Sequence, residues 1–292
     1  MRSWQLSQGD EIVRGRHALQ LLGGGRRYEA YLAWDDHLSS LVVAKLLRPD
    51  QAGDPRALRQ LASEAALIRS LAHPLLMRSF GAVLDGPRPH LVLEQIEGPR
   101  LSTLIRRHGI ALEQLLSLGL DLVRLLRYFE AEQVLHLDVK PRNIIMAGRP
   151  RLIDLSVAQR IAAAGGLDAP VGTEPYMAPE QCDVARFGEL APATDVWGLG
   201  ATLFEAIAGE PPFRADGERF PQLRHQPAPL PSRVPAQLSS IVIACLAPRP
   251  GDRPRLGELG AGLETLVERL ATPRLNRLRP GGAVRMRRLD PA

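Results

Sequence analysis

Apolar and polar positions alternate through the first third of the chain and recur at helical spacing through most of the rest. His17 to Leu22 runs into Gly23-Gly24-Gly25, and Tyr28 to Trp34 follows with period two, which predicts two strands joined by a glycine turn. Asp35-Asp36-His37 reads as a second turn and Leu41 to Leu47 as the next strand. From Arg56 to Leu71 the apolar residues Leu58, Leu61, Ala65 and Ile68 recur at helical spacing. Two short strands are predicted at Ser79–Leu84 and His90–Gln95. After Gly98-Pro99 the pattern turns helical, over 101–107 and 111–131, where Leu112, Leu115, Leu116, Leu122, Leu125 and Leu126 form a wide apolar stripe. Short strands flank Pro141 at 134–137, 144–147 and 151–153; 155–180 reads as loop, and 194–208 and 236–247 as helix. The result is an α+β chain, strand-rich before residue 96 and helix-rich after it.

Composition narrows the class. Apolar residues make up 45% of the chain, an ordinary globular value, while aromatics contribute only 4%, so aliphatic side chains must fill the interior. No window approaches 18 uninterrupted apolar residues, and Met1-Arg2-Ser3-Trp4 is not followed by an apolar run, so neither a membrane span nor a signal peptide is expected. Two cysteines, Cys182 and Cys245, make no metal quartet or disulfide framework and point to a reducing, cytoplasmic setting. Residues 271–292 carry six arginines against Asp290, a balance of +5 that equals the net charge of the whole chain. The body is therefore neutral and no nucleic-acid binder is expected there. The tail is expected to be a flexible end or a contact for an acidic partner or lipid surface.

Lysine use sharpens the picture. Of 37 basic residues only Lys45 and Lys140 are lysine. Where a general positive charge serves, this chain uses arginine, so a retained lysine marks a site that needs a compact ammonium. Lys45 lies in the strand Val43-Ala44-Lys45, and Glu64 sits nineteen residues later on the helix. Either residue alone is more often a solvated charge, and a lone glycine turn is as often an ordinary hairpin. The second constellation is far more specific: His136-Leu137-Asp138-Val139-Lys140-Pro141-Arg142-Asn143, followed by Ile153-Asp154-Leu155-Ser156. The third is Gly172-Thr173-Glu174-Pro175-Tyr176-Met177-Ala178-Pro179-Glu180.

Together these segments resemble the protein kinase family, in its bacterial (Hanks-type) Ser/Thr branch, over roughly residues 12–270. The resemblance implies a bilobal fold: an ATP-binding N-lobe over 1–95, a C-lobe over 96–270 and the basic tail. It implies ATP with Mg²⁺ (Mn²⁺ as a substitute), and Ser/Thr hydroxyls of a protein as substrate. Carried over residue by residue, Asp138 becomes the catalytic base, Lys140 the charge stabiliser, Lys45 the α/β-phosphate ligand held by Glu64, and Asn143 and Asp154 the metal ligands. Gly23, Gly24 and Gly25 would cover the phosphates; Ala30 and Ala44 would also line the ATP site. Leu93 becomes the gatekeeper, with backbone groups of Glu94 and Ile96 on the adenine edge. Glu180, Asp195 and Arg253 become fold anchors.

The chain also departs from the family. Tyr28 stands at the third glycine position of the phosphate loop, with Arg26 and Arg27 before it, and is expected to limit closure over the γ-phosphate unless the arginines add phosphate contacts. Leu137 replaces the arginine that normally precedes the catalytic aspartate, and 157–172 contains no Ser, Thr or Tyr, so control by loop phosphorylation is not expected. Leu155-Ser156 stands for Phe-Gly, and Ser lacks glycine's tolerance of positive φ. Two rival readings are a nucleotide-binding pseudokinase scaffold and a small-molecule phosphotransferase. The retained lysines oppose the first, and the Gly172–Glu180 segment opposes the second.

Overall fold

The computed structural model describes residues 2–165, 170–213, 217 and 219–271. The first part is a six-stranded antiparallel sheet in the order β1-β2-β3-β4-β6-β5. Its strands are β1 Glu11–Val13, β2 Arg16–Gly24, β3 Tyr28–Asp35, β4 Ser40–Leu47, β5 Ser79–Val83 and β6 His90–Glu94. Helix α1, Pro55–Ser70, connects β4 to β5. It starts where the sequence signals a start: Asp54 caps the first turn by accepting from the Arg56 N–H, and Pro55 occupies a position whose N–H has no helical partner. Ala57, Leu61, Glu64, Leu67 and Ile68 form its buried face.

Strand parity divides the sheet into two chemical faces. Val42, Ala44 and Leu46 join Tyr31 and Ala33 in a cluster capped by Trp4 and Leu6 from the N-terminal segment. Val43 and Leu47 belong to the other face, which is continuous with α1 and the main core. Lys45 pairs across the ladder with Ala30 on β3 and so shares that second face.

The remainder is mainly helical: α2 Leu101–His108, α3 Leu112–Ala131, α4 Ile161–Ala164, α5 Pro179–Cys182, α6 Val184–Phe187, α7 Pro192–Ala208, α8 Ala236–Cys245 and α9 Leu256–Ala271. Short antiparallel pairs, β7 Val134–Leu135 with β10 Gln159–Arg160 and β8 Ile144–Ala147 with β9 Arg149–Leu152, frame the loop that carries Asp138. The buried helix α3 runs through the centre of this part, packed against α7 and α9.

Two expectations are corrected. Residues 155–180 are not simply loop: β10 pairs with β7 and α4 follows at once. Helix α9 went unpredicted, because Gly257, Gly260 and Gly262 lower its intrinsic propensity. Packing reverses that penalty. A Cβ on Gly262 would stand 3.0 Å from the Ile241 side chain on α8, so glycine there allows the close helix contact. The arginine-rich tail beyond Ala271 lies outside the described residues. No helix among the described residues is long and apolar enough to cross a membrane.

Candidate active site

Lys45 and Glu64 meet because β4 parity and the inward face of α1 converge. The Lys45 Nζ donates to both Glu64 oxygens, at 2.8 and 3.1 Å, and to Asp154 Oδ1 at 2.8 Å. Glu64 is 2% exposed, so the pair is one of charges taken out of water, which persists only with good geometry. Burial works against the lysine's charge, but Asp154 and Glu64 outweigh it and hold the ammonium above its ordinary range. Burial likewise opposes ionisation of Asp154; Lys45 and Ser156 prevail and hold its carboxyl well below the usual carboxylate range.

Tyr28 closes the fourth side of this cluster. Its ring lies with the Lys45 Nζ 4.7 Å from the centroid, and its hydroxyl is buried without a hydrogen-bond partner among the described residues. Burial, then the nearby Glu64 charge, push its pKa up to about 12. The glycine turn explains how it gets there. Gly25 N–H donates to Tyr28 O at 2.9 Å, and a Cβ on Gly24 would fall 2.6 Å from that same oxygen. Arg27 donates to Gln60 on α1, which fixes that arginine on the helix.

The second cluster sits on the loop between β7 and β8. Lys140 Nζ is 2.5 Å from Asp138 Oδ2 and 2.5 Å from Thr173 Oγ1. Asn143 donates through Nδ2 to Asp138 O at 3.0 Å and to Asp138 Oδ2 at 3.1 Å. Asp138 Oδ1 is buried and has no hydrogen-bond partner among the described residues. A buried carboxylate oxygen left without a donor costs about 1–3 kcal/mol.

Beneath the loop, Asp195 in the first turn of α7 accepts the backbone N–H groups of His136 and Leu137 at 2.7 and 2.8 Å. Burial pushes its carboxyl up to about 6 in spite of those bonds. Leu137 and Asp154 adopt positive φ, 64° and 71°, conformations that cost a non-glycine residue energy and collect at functional sites. Ser156 is not among the positive-φ residues, so its missing glycine carries no backbone penalty in this conformation. Glu180 and Arg253 form a fork-shaped ion pair at 2.6 and 2.8 Å, both side chains fully buried.

Predicted site residues fall in two bonded groups: Glu64 and Asp154 on the Lys45 ammonium, with Ala30 opposite Lys45 in the ladder, and Lys140 and Asn143 on Asp138. Gly23 to Gly25 lie at the β2–β3 turn above Lys45. Ala44 is a correction. Adjacent strand residues point to opposite faces, so Ala44 is buried in the Trp4–Tyr31 cluster, away from Lys45. Val43 shares the face of Lys45 and pairs with Leu93, which makes Val43 the residue the alanine assignment should have named. Counting in twos from Lys45 would have found it. At the β6 end, Leu93 is buried, and the Glu94 N–H is already bonded to Arg78 O at 3.0 Å, while Ile96 is half-buried. Gln181 also escaped prediction: it donates to the carbonyls of Leu137 and Val171 at 2.8 and 2.7 Å, tying the Asp138 loop to the Thr173 segment. A surface cavity of about 390 Å³ lined by Trp34, Leu41, Phe80, Glu94 and Glu97 lies beside the β6 end, away from the lysine clusters.

No cluster of three or more His, Cys, Asp or Glu that could hold a metal occurs among the described residues. The donor set nevertheless suits a hard cation completed by a ligand's oxygens. Asn143 spends its nitrogen on Asp138, which leaves its oxygen for a cation, and Asp154 is about one-third exposed.

A family model described as protein kinase domain matches residues 16–261. The chain is 31% identical over 252 residues to the serine/threonine-protein kinase PknB of Mycolicibacterium smegmatis, covering 80% of this chain and 40% of that protein. PknB of Mycobacterium tuberculosis (strain ATCC 25618 / H37Rv) is 31% identical over 255 residues with the same coverages. PknA of M. tuberculosis (strain ATCC 25177 / H37Ra) is 30% identical over 259 residues, covering 84% of this chain and 59% of the relative. The chain thus spans about two-fifths of the length of the PknB relatives.

Proposed function

The chain belongs to the protein kinase domain family, and we propose that it transfers the γ-phosphoryl group of ATP to serine or threonine hydroxyls of a protein substrate. The observation that carries this reading is Asp138, with one oxygen on Lys140 and the other buried and unpartnered. In this reading Oδ1 accepts the proton of the substrate hydroxyl as its oxygen forms a bond to the γ-phosphorus and the β–γ bridge breaks to release ADP. Lys140, fixed between Asp138 and Thr173, steadies charge on the group in flight. Lys45 turns donors toward the α- and β-phosphates while Glu64 keeps it in place. Asn143 Oδ1 and the Asp154 carboxylate would hold Mg²⁺. When bound, the ion supplies charge neutralisation to the phosphate oxygens.

Control by loop phosphorylation is not part of the proposal. Leu137 packs with Leu135, Ala164 and Leu190, and Val157 and Ile161 lie against them. An apolar contact between the Asp138 loop and the segment after Asp154 thus stands where the family places an arginine for a phosphate. Phosphatase treatment should leave activity unchanged. Cys182 and Cys245 are both unpaired, which supports a reducing, cytoplasmic setting. An acidic partner or lipid surface remains the proposed contact of residues 271–292.

A nucleotide-binding scaffold is the second reading, and Tyr28 favours it, because its ring occupies space beside Lys45. Incubation with γ-labelled ATP, Mg²⁺ and a general protein substrate separates the two. Label on serine and threonine, abolished by a chelator, supports the kinase. ATP binding without transfer of label supports the scaffold.

A further inference from the structure

We infer that Arg48 is a positioning residue for the glycine turn, and that residues 2–6 hold it in place as a strap; the functional side of this inference rests on the kinase reading above. Arg48 follows β4 on the side of the sheet away from the Lys45 cluster. Its Nε donates to Gly25 O at 2.7 Å, and its backbone N–H donates to Arg27 O at 2.8 Å. Two carbonyls of the Gly25–Tyr28 turn are therefore fixed from outside by one residue.

The guanidinium is itself tightly held. Its Nη1 donates to Glu29 Oε1 at 2.7 Å and to Arg2 O at 3.0 Å. Glu29 is 1% exposed, and its other oxygen accepts from the Trp4 N–H at 3.1 Å and the Tyr31 hydroxyl at 3.2 Å. The Trp4 indole N–H donates to Leu47 O at 2.7 Å, the Arg88 guanidinium lies 5.3 Å from the Trp4 ring, and Leu6 packs on the same sheet face. The planar fork spreads its donors over separate nitrogens, so Nε serves Gly25 while Nη1 serves Glu29 and Arg2. The strap therefore ends on a cation that holds the turn from which Tyr28 reaches Lys45. Loss of the strap or of Arg48 leaves the strands paired but frees the turn.

The test uses the full chain with Arg48→Gln and, separately, deletion of residues 2–6, which keeps both Arg48 and Glu29. Hydrogen exchange is measured without nucleotide over 22–30, with the far helix α9 as internal control. ATP affinity is then measured by titration with Mg²⁺, and KM and kcat are taken from label transfer. Exchange in 22–30 should quicken by an order of magnitude in both variants, with α9 unchanged. The KM for ATP should rise about fivefold, the effect of one lost hydrogen bond, with kcat little altered. Should Arg48→Gln fail to fold, the deletion alone decides. Unchanged exchange over 22–30 in a folded variant overturns the inference, as does faster exchange with unchanged ATP affinity. A parent that binds no ATP, with variants that still exchange faster, defeats the kinase reading and leaves the clamp standing.

Discussion

Two buried ion pairs in this molecule are built from the same kinds of group and finished in opposite ways. In Glu180–Arg253 both charged groups are fully hydrogen-bonded. Arg253 gives both Nη groups to Glu180, Thr194 donates to the same carboxylate, and the remaining guanidinium donors go to the carbonyls of Ala193, Ala247 and Pro248. The guanidinium also faces the Trp197 ring at 5.0 Å. The Lys45 and Asp138 clusters are left open: among the described residues Asp138 Oδ1 and the Tyr28 hydroxyl have no partner, and Asp154 stays partly exposed. The Glu180–Arg253 pair has each charged atom hydrogen-bonded, while the clusters around Lys45 and Asp138 keep polar atoms without a partner among the described residues.

That contrast can be broken experimentally, beginning on the closed side. Arg253→Met strands the Glu180 carboxylate in the core and should cost about 3–5 kcal/mol, a fall in Tm of roughly 10 °C, read by thermal melting. A shift of only a degree or two would mean the pair is ornamental. On the open side, Lys45→Arg keeps the charge but moves it off a point, so label transfer should drop about a hundredfold with Tm nearly unchanged. Parent-like transfer would remove the reason for the retained lysine.

His90 gives a pH test of closure in the N-terminal part. It is fully buried between Arg16, which faces Nε2 at 2.7 Å, and the Arg88 carbonyl, and burial lowers its pKa to about 4. The unfolded chain, with histidine near 6.5, binds the proton first, so this stabilisation is complete above pH 6.5 and is lost as pH falls toward 4. His90→Gln should therefore flatten the drop in Tm across that window by a few degrees; an unaltered slope would refute the assignment. The smallest effect belongs to Tyr28→Ser. Removing the ring from Lys45 should lower the KM for ATP about threefold, the scale of one cation–π contact, and a higher KM would show that the ring assists binding.

Much of the site was legible because phosphoryl transfer demands particular groups at particular spacings. Lys45, Glu64, Asp138, Lys140, Asn143 and Asp154 were named through the resemblance of their motifs to the protein kinase family, and arginine's takeover of every other basic position made the two lysines conspicuous. What stayed hidden depends on packing. Helix α9 carries three glycines that argue against a helix until α8 presses on Gly262. Gln181 is an unremarkable amide until two carbonyls arrive beside it. The strand β10 exists only because β7 offers an edge to Gln159 and Arg160. Ala44 was a different kind of miss, since strand parity was available and assigns that face to Val43.

The central claim, that the open oxygen of Asp138 is kept for chemistry and not for the fold, is tested most directly by Asp138→Asn, with label transfer and Tm measured on the same protein. Transfer from ATP to serine or threonine should fall by about three orders of magnitude while Tm shifts by only a few degrees, because the amide oxygen still accepts from Lys140 and Asn143 and the amide nitrogen replaces only the unpartnered oxygen. Transfer at the parent rate, or a Tm that collapses as it does for Arg253→Met, would contradict the account.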